Sequence, residues 1–177
     1  MASGRSKRPA TLIGVTPEER TQRLEASVQR LLQEIQRLPA DVLYREPRPG
    51  EWPVMSTLAH VSELLPYWAH QAERIARSPG AAFGRTHDDP ERVGAVEQHG
   101  HDSIGAIVPR IRASLADCLG TLRSLPPEAW ATNGQHPSRG AMSVEQVVDR
   151  FLVDHIEEHA AQISATLSAV SPAPPAR

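Results

Sequence analysis

Four stretches of this 177-residue chain repeat their apolar residues at steps of three and four. That is the period of a helix with one buried face. Start and stop signals bracket the stretches, and no segment alternates apolar and polar residues over a useful length. The first stretch opens at Thr16-Pro17-Glu18-Glu19. Thr16 suits the N-cap, Pro17 the first helical position, and Glu19 can reach back to complete a capping box. Leu24, Val28, Leu31, Leu32, Ile35 and Leu38 form its stripe, and Pro39 stops it. The second stretch begins near Ser56 and carries Leu58, Val61, Leu65, Trp68, Ala72 and Ile75. Pro66 inside it removes a ladder bond and predicts a kink. The third starts at Asp102 or Ser103 and runs through Ile104, Ile107, Ile111, Leu115, Cys118, Leu119 and Leu122 to Pro126-Pro127. The fourth opens on a second capping box, Ser143-Val144-Glu145-Gln146, and continues through Val148, Phe151, Leu152, His155, His159 and Ile163. Residues 79–102 read as irregular, with a short helix allowed after Asp89-Pro90.

Four helices of about 20 residues make an all-α bundle, and 177 residues suit one domain, expected over residues 15–168 between tails at 1–14 and 169–177. Net charge is -2, so no large basic surface calls for nucleic acid or anionic lipid. No segment approaches the roughly 20 apolar residues that span a bilayer. The single cysteine, Cys118, excludes an internal disulfide and falls on the third stripe as a small core residue. A cytoplasmic location is the expected default.

His155 and His159 are four apart on the fourth helix, so both rings share one face and lie in line with its apolar stripe. Two interior imidazoles this close must either bond to buried acceptors or share a metal ion, for which imidazole nitrogen is a standard ligand. A third ligand has to come from a facing helix, and His60, at the edge of the second stripe, is the candidate. Three protein ligands leave a coordination position open, which is the pattern of catalytic zinc. The zincin motif is excluded, because Ile156 stands where its general base would be. The other histidines carry weaker readings. His99 and His101 with Asp102 read as solvated loop residues, His70 as a helix-surface residue, His87 as a loop residue without a partner, and His136-Pro137 as turn-shaping. Glu157 and Glu158 read as solvated, and Glu63 as a residue at a cavity mouth; none stands out as a general base.

Three stretches together resemble the DinB-like superfamily, which includes metal-dependent hydrolases of the YfiT type and bacterial low-molecular-weight-thiol transferases. Pro49-Gly50-Glu51-Trp52-Pro53 leading into Leu58-Ala59-His60-Val61 is similar to the opening of the family's second helix and its ligand histidine. His136-Pro137-Ser138-Arg139-Gly140-Ala141-Met142-Ser143 resembles the turn before the last helix. His155-Ile156-Glu157-Glu158-His159-Ala160-Ala161-Gln162-Ile163 resembles the His-x-x-x-His-x-x-Gln-Ile signature. The likeness spans roughly residues 16–168. It implies an up-down-down-up four-helix bundle, often a homodimer, with zinc or nickel on His60, His155 and His159 facing a cavity. Pro53 stands where the family has Ser, which leaves Ser56 as the expected cap of the second helix. The activity implied is transfer to or from a low-molecular-weight thiol on an electrophilic small molecule. A metal-dependent amide or ester hydrolase and a non-catalytic metal-binding stress-response bundle are the alternatives.

Overall fold

The computed structural model describes residues 14–36, 38–86 and 89–170. The expected tails, apart from Gly14 and residues 169–170, lie outside these residues, as do His87 and Asp88. The chain forms α1 (Pro17–Ile35), a short α2 (Ala40–Leu43), α3 (Val54–Arg77), α4 (Pro90–His99) and α5 (Ile104–Arg123). A 3-10 turn (Pro127–Ala131) and a hairpin of β1 (Asn133–His136) and β2 (Gly140–Ser143) follow. The last long helix is α6 (Val144–Val148), a π turn (Asp149–Val153) and α7 (Asp154–Val170) in succession. It is a four-helix bundle built on α1, α3, α5 and α6–α7. Around it, α3 packs on α5 and α7, and α1 packs on the same two helices.

Both capping boxes form as the local sequence dictates. Thr16 accepts from the Glu19 amide while the Glu19 carboxylate takes the Thr16 amide, and Ser143 and Gln146 exchange the same pair of bonds. Asp89 caps α4, the helix allowed after Asp89-Pro90. Ser56 is not the cap of α3. The Pro53 carbonyl already accepts from the Thr57 amide, so the helix begins at Val54 with Pro53 at the N-cap. The helix continues through Pro66 to Arg77.

One contiguous core joins the four long helices. Helix α3 is buried nearly all round over its first three turns, with Val54, Met55, Leu58, Ala59, Val61, Leu64 and Leu65 all fully buried. Such a helix can be stable only at the centre of a bundle, and α4, α5, α6 and α7 enclose it. No helix of the described residues is long and apolar enough to cross a membrane.

The expectation of no strands is corrected. β1 and β2 pair antiparallel from Asn133↔Ser143 to His136↔Gly140, closed by the turn at residues 137–139. The segment after α3 runs along the outer side of β1, with Gly80 and Phe83 amides donating to Asn133 and Gln135 carbonyls and the Gln135 amide to Ala81. At Gly134 a Cβ would stand 2.7 Å from Ile75 Cγ1 and 2.8 Å from Phe83 Cδ1, so only glycine lets this sheet lie against the end of α3. The hairpin thereby fixes where the last helix starts.

The π turn is the second feature absent from the sequence reading. It accommodates an extra residue just before His155 and leaves Asp149, Phe151, Leu152 and Val153 all buried. Asp149 is held from across the bundle by Arg20, whose guanidinium donates to both carboxylate oxygens at 2.7 and 3.0 Å and to the Val15 carbonyl. The Arg20 side chain is 2% exposed, and Glu145 lies 3.7 Å away. One helical turn on, Arg23 forks onto Glu157 at 2.9 and 2.7 Å. These pairs clamp α1 to the last helix on either side of His155.

Candidate metal centre

Helix α3 carries His60 into the bundle and α7 carries His155 and His159, one turn apart. The three rings converge. His60 lies 5.7 Å from His155 and 5.1 Å from His159 between ring centroids, and the α7 pair is 4.6 Å apart. One nitrogen from each ring can be chosen so that all three lie within 4.8 Å of one another. Among the described residues no other three His, Cys, Asp or Glu side chains come together this way. His60 is not at the edge of its stripe, as the spacing suggests, but 2% exposed, because α3 is enclosed by its neighbours over this stretch.

Burial governs the protonation of the cluster. It pushes His155 down to about 3, helped by the His159 and His60 charges, and His159 down to about 4 despite a bond to Gln162 that favours the charged form. Burial lowers His60 as well, against the pull of Glu63. All three rings are therefore neutral at physiological pH, with lone pairs available. The Arg92 cation, 5.1 Å over the Trp52 ring, disfavours proton uptake at all three.

Several of those lone pairs have no partner. His159 Nδ1 faces the Gln162 Oε1 at 3.0 Å. With the amide oxygen accepting, Nδ1 carries the hydrogen and Nε2 keeps the lone pair. That Nε2, and both nitrogens of His60, are buried without a hydrogen-bond partner. An unpaired buried polar atom costs about 1–3 kcal/mol. A divalent cation would satisfy all three rings at once, so the donor set fits a metal such as zinc.

Surrounding residues control access and orientation. The Trp52 ring meets His60 edge-on at 5.8 Å. Trp52 and Gln162 also line a cleft of about 530 Å³ with Pro47, Arg48, Glu51, Ala165 and Thr166. Two residues in contact with the triad therefore form part of the wall of this cleft. Glu63 lies 3.7 Å from His60 Nδ1 and is paired to buried Arg85. Burial pushes its carboxyl up, but the His60 and Arg85 contacts outweigh that and leave it below its usual range.

The remaining candidates fall elsewhere. His70 is half-exposed near Asp117, and His99 pairs with Asp102 at 3.0 Å, away from the triad. Glu157 and Glu158 are tied to Arg23 and Arg150. Cys118 is wholly buried, and burial pushes its thiol up to about 12. His136 is the residue most incompletely read from sequence. It does stand at the turn, but its ring is buried, stacked on Phe151 at 5.4 Å and on Trp68 at 6.4 Å. The contacts of Trp52, Glu63 and Gln162 with the triad, and of Arg85 with Glu63, are not visible in the sequence alone. The i, i+3 spacing of His60–Glu63 and His159–Gln162 was the available signal.

Comparison with known proteins gives the family and the fold. The sequence profile of the DinB superfamily matches residues 23–163. No protein of curated function matches the chain in sequence. Among solved structures the fold is similar to YfiT from Bacillus subtilis, a probable metal-dependent hydrolase with an unusual four-helix bundle topology, at 16% identity, 92% coverage of both chains and a TM-score of 0.73. It is similar to the mycothiol-dependent maleylpyruvate isomerase at 12% identity and a TM-score of 0.60, covering 89% of this chain and 61% of the isomerase. A four-helix bundle protein, TT2238, aligns at 22% identity and a TM-score of 0.58 over 85% of this chain and 99% of its own.

Proposed function

Since the chain belongs to the DinB superfamily, we propose that His60, His155 and His159 hold one divalent metal ion, zinc or nickel, and that the protein is a metal-dependent transferase. It would use a low-molecular-weight thiol on an electrophilic small molecule. The observation that carries the reading is the convergence of three neutral imidazoles, with His60 and His159 buried and holding unsatisfied nitrogens, beside a cleft of about 530 Å³. When bound, the metal would supply Lewis acidity and hold a thiol as its thiolate, the nucleophilic form.

The chain's own residues define the rest. His155 and His159 give the ligand face of α7, and Gln162 fixes the tautomer of His159. Trp52 walls the ligand side of the cleft. Glu63, the carboxylate that faces His60, is engaged by Arg85 and so is not free to act as general base. That favours transfer over hydrolysis, which needs a base to activate water. Cys118, buried with its thiol pushed up to about 12, cannot supply the nucleophile itself, so the thiol would come from outside the chain. A reducing, cytoplasmic setting suits such chemistry.

Metal-dependent hydrolysis is the second reading, on the likeness to YfiT, a probable metal-dependent hydrolase. One experiment separates the two. The zinc- and nickel-loaded protein is offered electrophilic alkyl and aryl halides with and without a millimolar small thiol, and separately an ester and amide panel. Turnover that requires the thiol and disappears with a chelator is expected. Full, chelator-sensitive turnover of esters or amides without any thiol would overturn transfer in favour of hydrolysis.

A further inference from the structure

All three histidines carry a polar acceptor three residues ahead on their own helix, where i and i+3 side chains meet, and in two of them it faces a ring nitrogen. His159 Nδ1 lies 3.0 Å from the Gln162 carbonyl oxygen, and His60 Nδ1 lies 3.7 Å from Glu63 Oε2. Resting on the reading that the triad holds a metal, we propose that Glu63 is the positioning residue of His60, and that Arg85 exists to hold Glu63 in that place.

The ring of His60 has no other way to choose its orientation. It is 2% exposed, both nitrogens are unpaired, and its neighbours are Trp52 and the other two histidines. A ring that offers Nε2 to a metal must carry its hydrogen on Nδ1, and a buried N–H needs an acceptor. Glu63 is the acceptor within reach. At 3.7 Å the contact is longer than a hydrogen bond, and a shift of roughly 0.7 Å would close it. His155 differs: the residue three ahead of it, Glu158, is bonded to Arg150.

Arg85 explains why a carboxylate stays there. It comes from the connection between α3 and α4, yet its side chain is 6% exposed. Burying a guanidinium is strongly unfavourable unless it is compensated. Its Nη2 donates to Glu63 Oε2 at 2.5 Å and its plane lies 3.7 Å over the Tyr67 ring, whereas Nη1 has the Asp89 charge 3.5 Å away but no hydrogen bond. Glu63 is thus its hydrogen-bonded carboxylate. A structural ion pair would account for Arg85 and Glu63 facing each other. It would not account for the same Oε2 facing the unpaired nitrogen of His60.

The test uses the full chain with two variants. Glu63→Gln keeps the shape and a weaker acceptor. Glu63→Met combined with Arg85→Met removes both charges together, so no buried ion is left alone. Two quantities are measured: zinc affinity by chelator competition, and the His60 tautomer in metal-free protein by long-range proton–nitrogen correlation. Wild type is expected to hold the Nδ1–H tautomer. Glu63→Gln should lose about tenfold in zinc affinity, and the double variant up to about a hundredfold with a mixed His60 tautomer. An unchanged tautomer in the double variant overturns the proposal, as does unchanged affinity where wild type binds zinc. A wild type that takes up no zinc ends the metal reading instead, and the tautomer alone then decides the role of Glu63.

Discussion

Acidifying the metal-free protein should cost it stability through the histidine cluster, well before most of its carboxylates protonate. In the unfolded chain His155 and His159 take up protons near their ordinary value of 6.5, whereas in the folded protein burial holds them to about 3 and about 4. The unfolded state thus binds more protons across this window, so stability falls as pH drops from about 6.5 and levels off below about 3. The slope is about 1.36 kcal/mol per pH unit for each proton. At pH 4.5, two units below 6.5, one histidine costs about 3 kcal/mol and the pair about 3–5 kcal/mol. The rings lie 4.6 Å apart and titrate as a coupled pair, which is why the larger figure is a ceiling. For a chain of this length that corresponds to roughly 10 °C in Tm. The assay is urea or thermal unfolding of chelator-treated protein at pH 7.0 and 4.5, beside a His155→Leu/His159→Leu variant in which carboxylate effects cancel. Wild type should lose 3–5 kcal/mol more than the variant. Equal losses would refute the reasoning, since the rings would then be solvated enough to protonate in place.

Other sites give independent outcomes. Asp149→Ala leaves the Arg20 guanidinium buried without its main partner, so urea unfolding should show a loss of about 3–5 kcal/mol. Gly84→Ala sets a Cβ 2.5 Å from the His136 ring at a backbone φ of +87°; a Tm drop equivalent to at least 1–3 kcal/mol is expected by calorimetry. Cys118 is fully buried with its thiol pushed up to about 12, so a thiol reagent should label it at pH 8 only after denaturant is added.

The starts of α1 and α6 were legible because they are local, whereas that of α3, where Pro53 and not Ser56 is the N-cap, was not. Thr16 with Glu19, and Ser143 with Gln146, carry their own capping chemistry within four residues. The convergence of His60, His155 and His159 was legible because two of them share a helix face and the third needed just one facing helix. What escaped was set by distant contacts. Strands of four residues such as Asn133–His136 are too short to show a period, and they form because the bundle end and the segment at residues 80–83 lie alongside. The π turn has no sequence signature, and its Asp149 is held by Arg20 from 129 positions away. Burial of His136 depends on Trp68 and Phe151 converging from two helices. The Glu63 spacing was visible, but its meaning depends on Arg85, which reaches it from a connection with no helical period.

The central claim is that His60, His155 and His159 bind one metal ion. Elemental analysis tests it most directly, on untagged protein purified without chelator, with His60→Ala and His155→Ala prepared in parallel and checked for helix content. Near one equivalent of a divalent metal in wild type, absent from both folded variants, is the predicted result. No metal in wild type and no uptake of added zinc or nickel would contradict it.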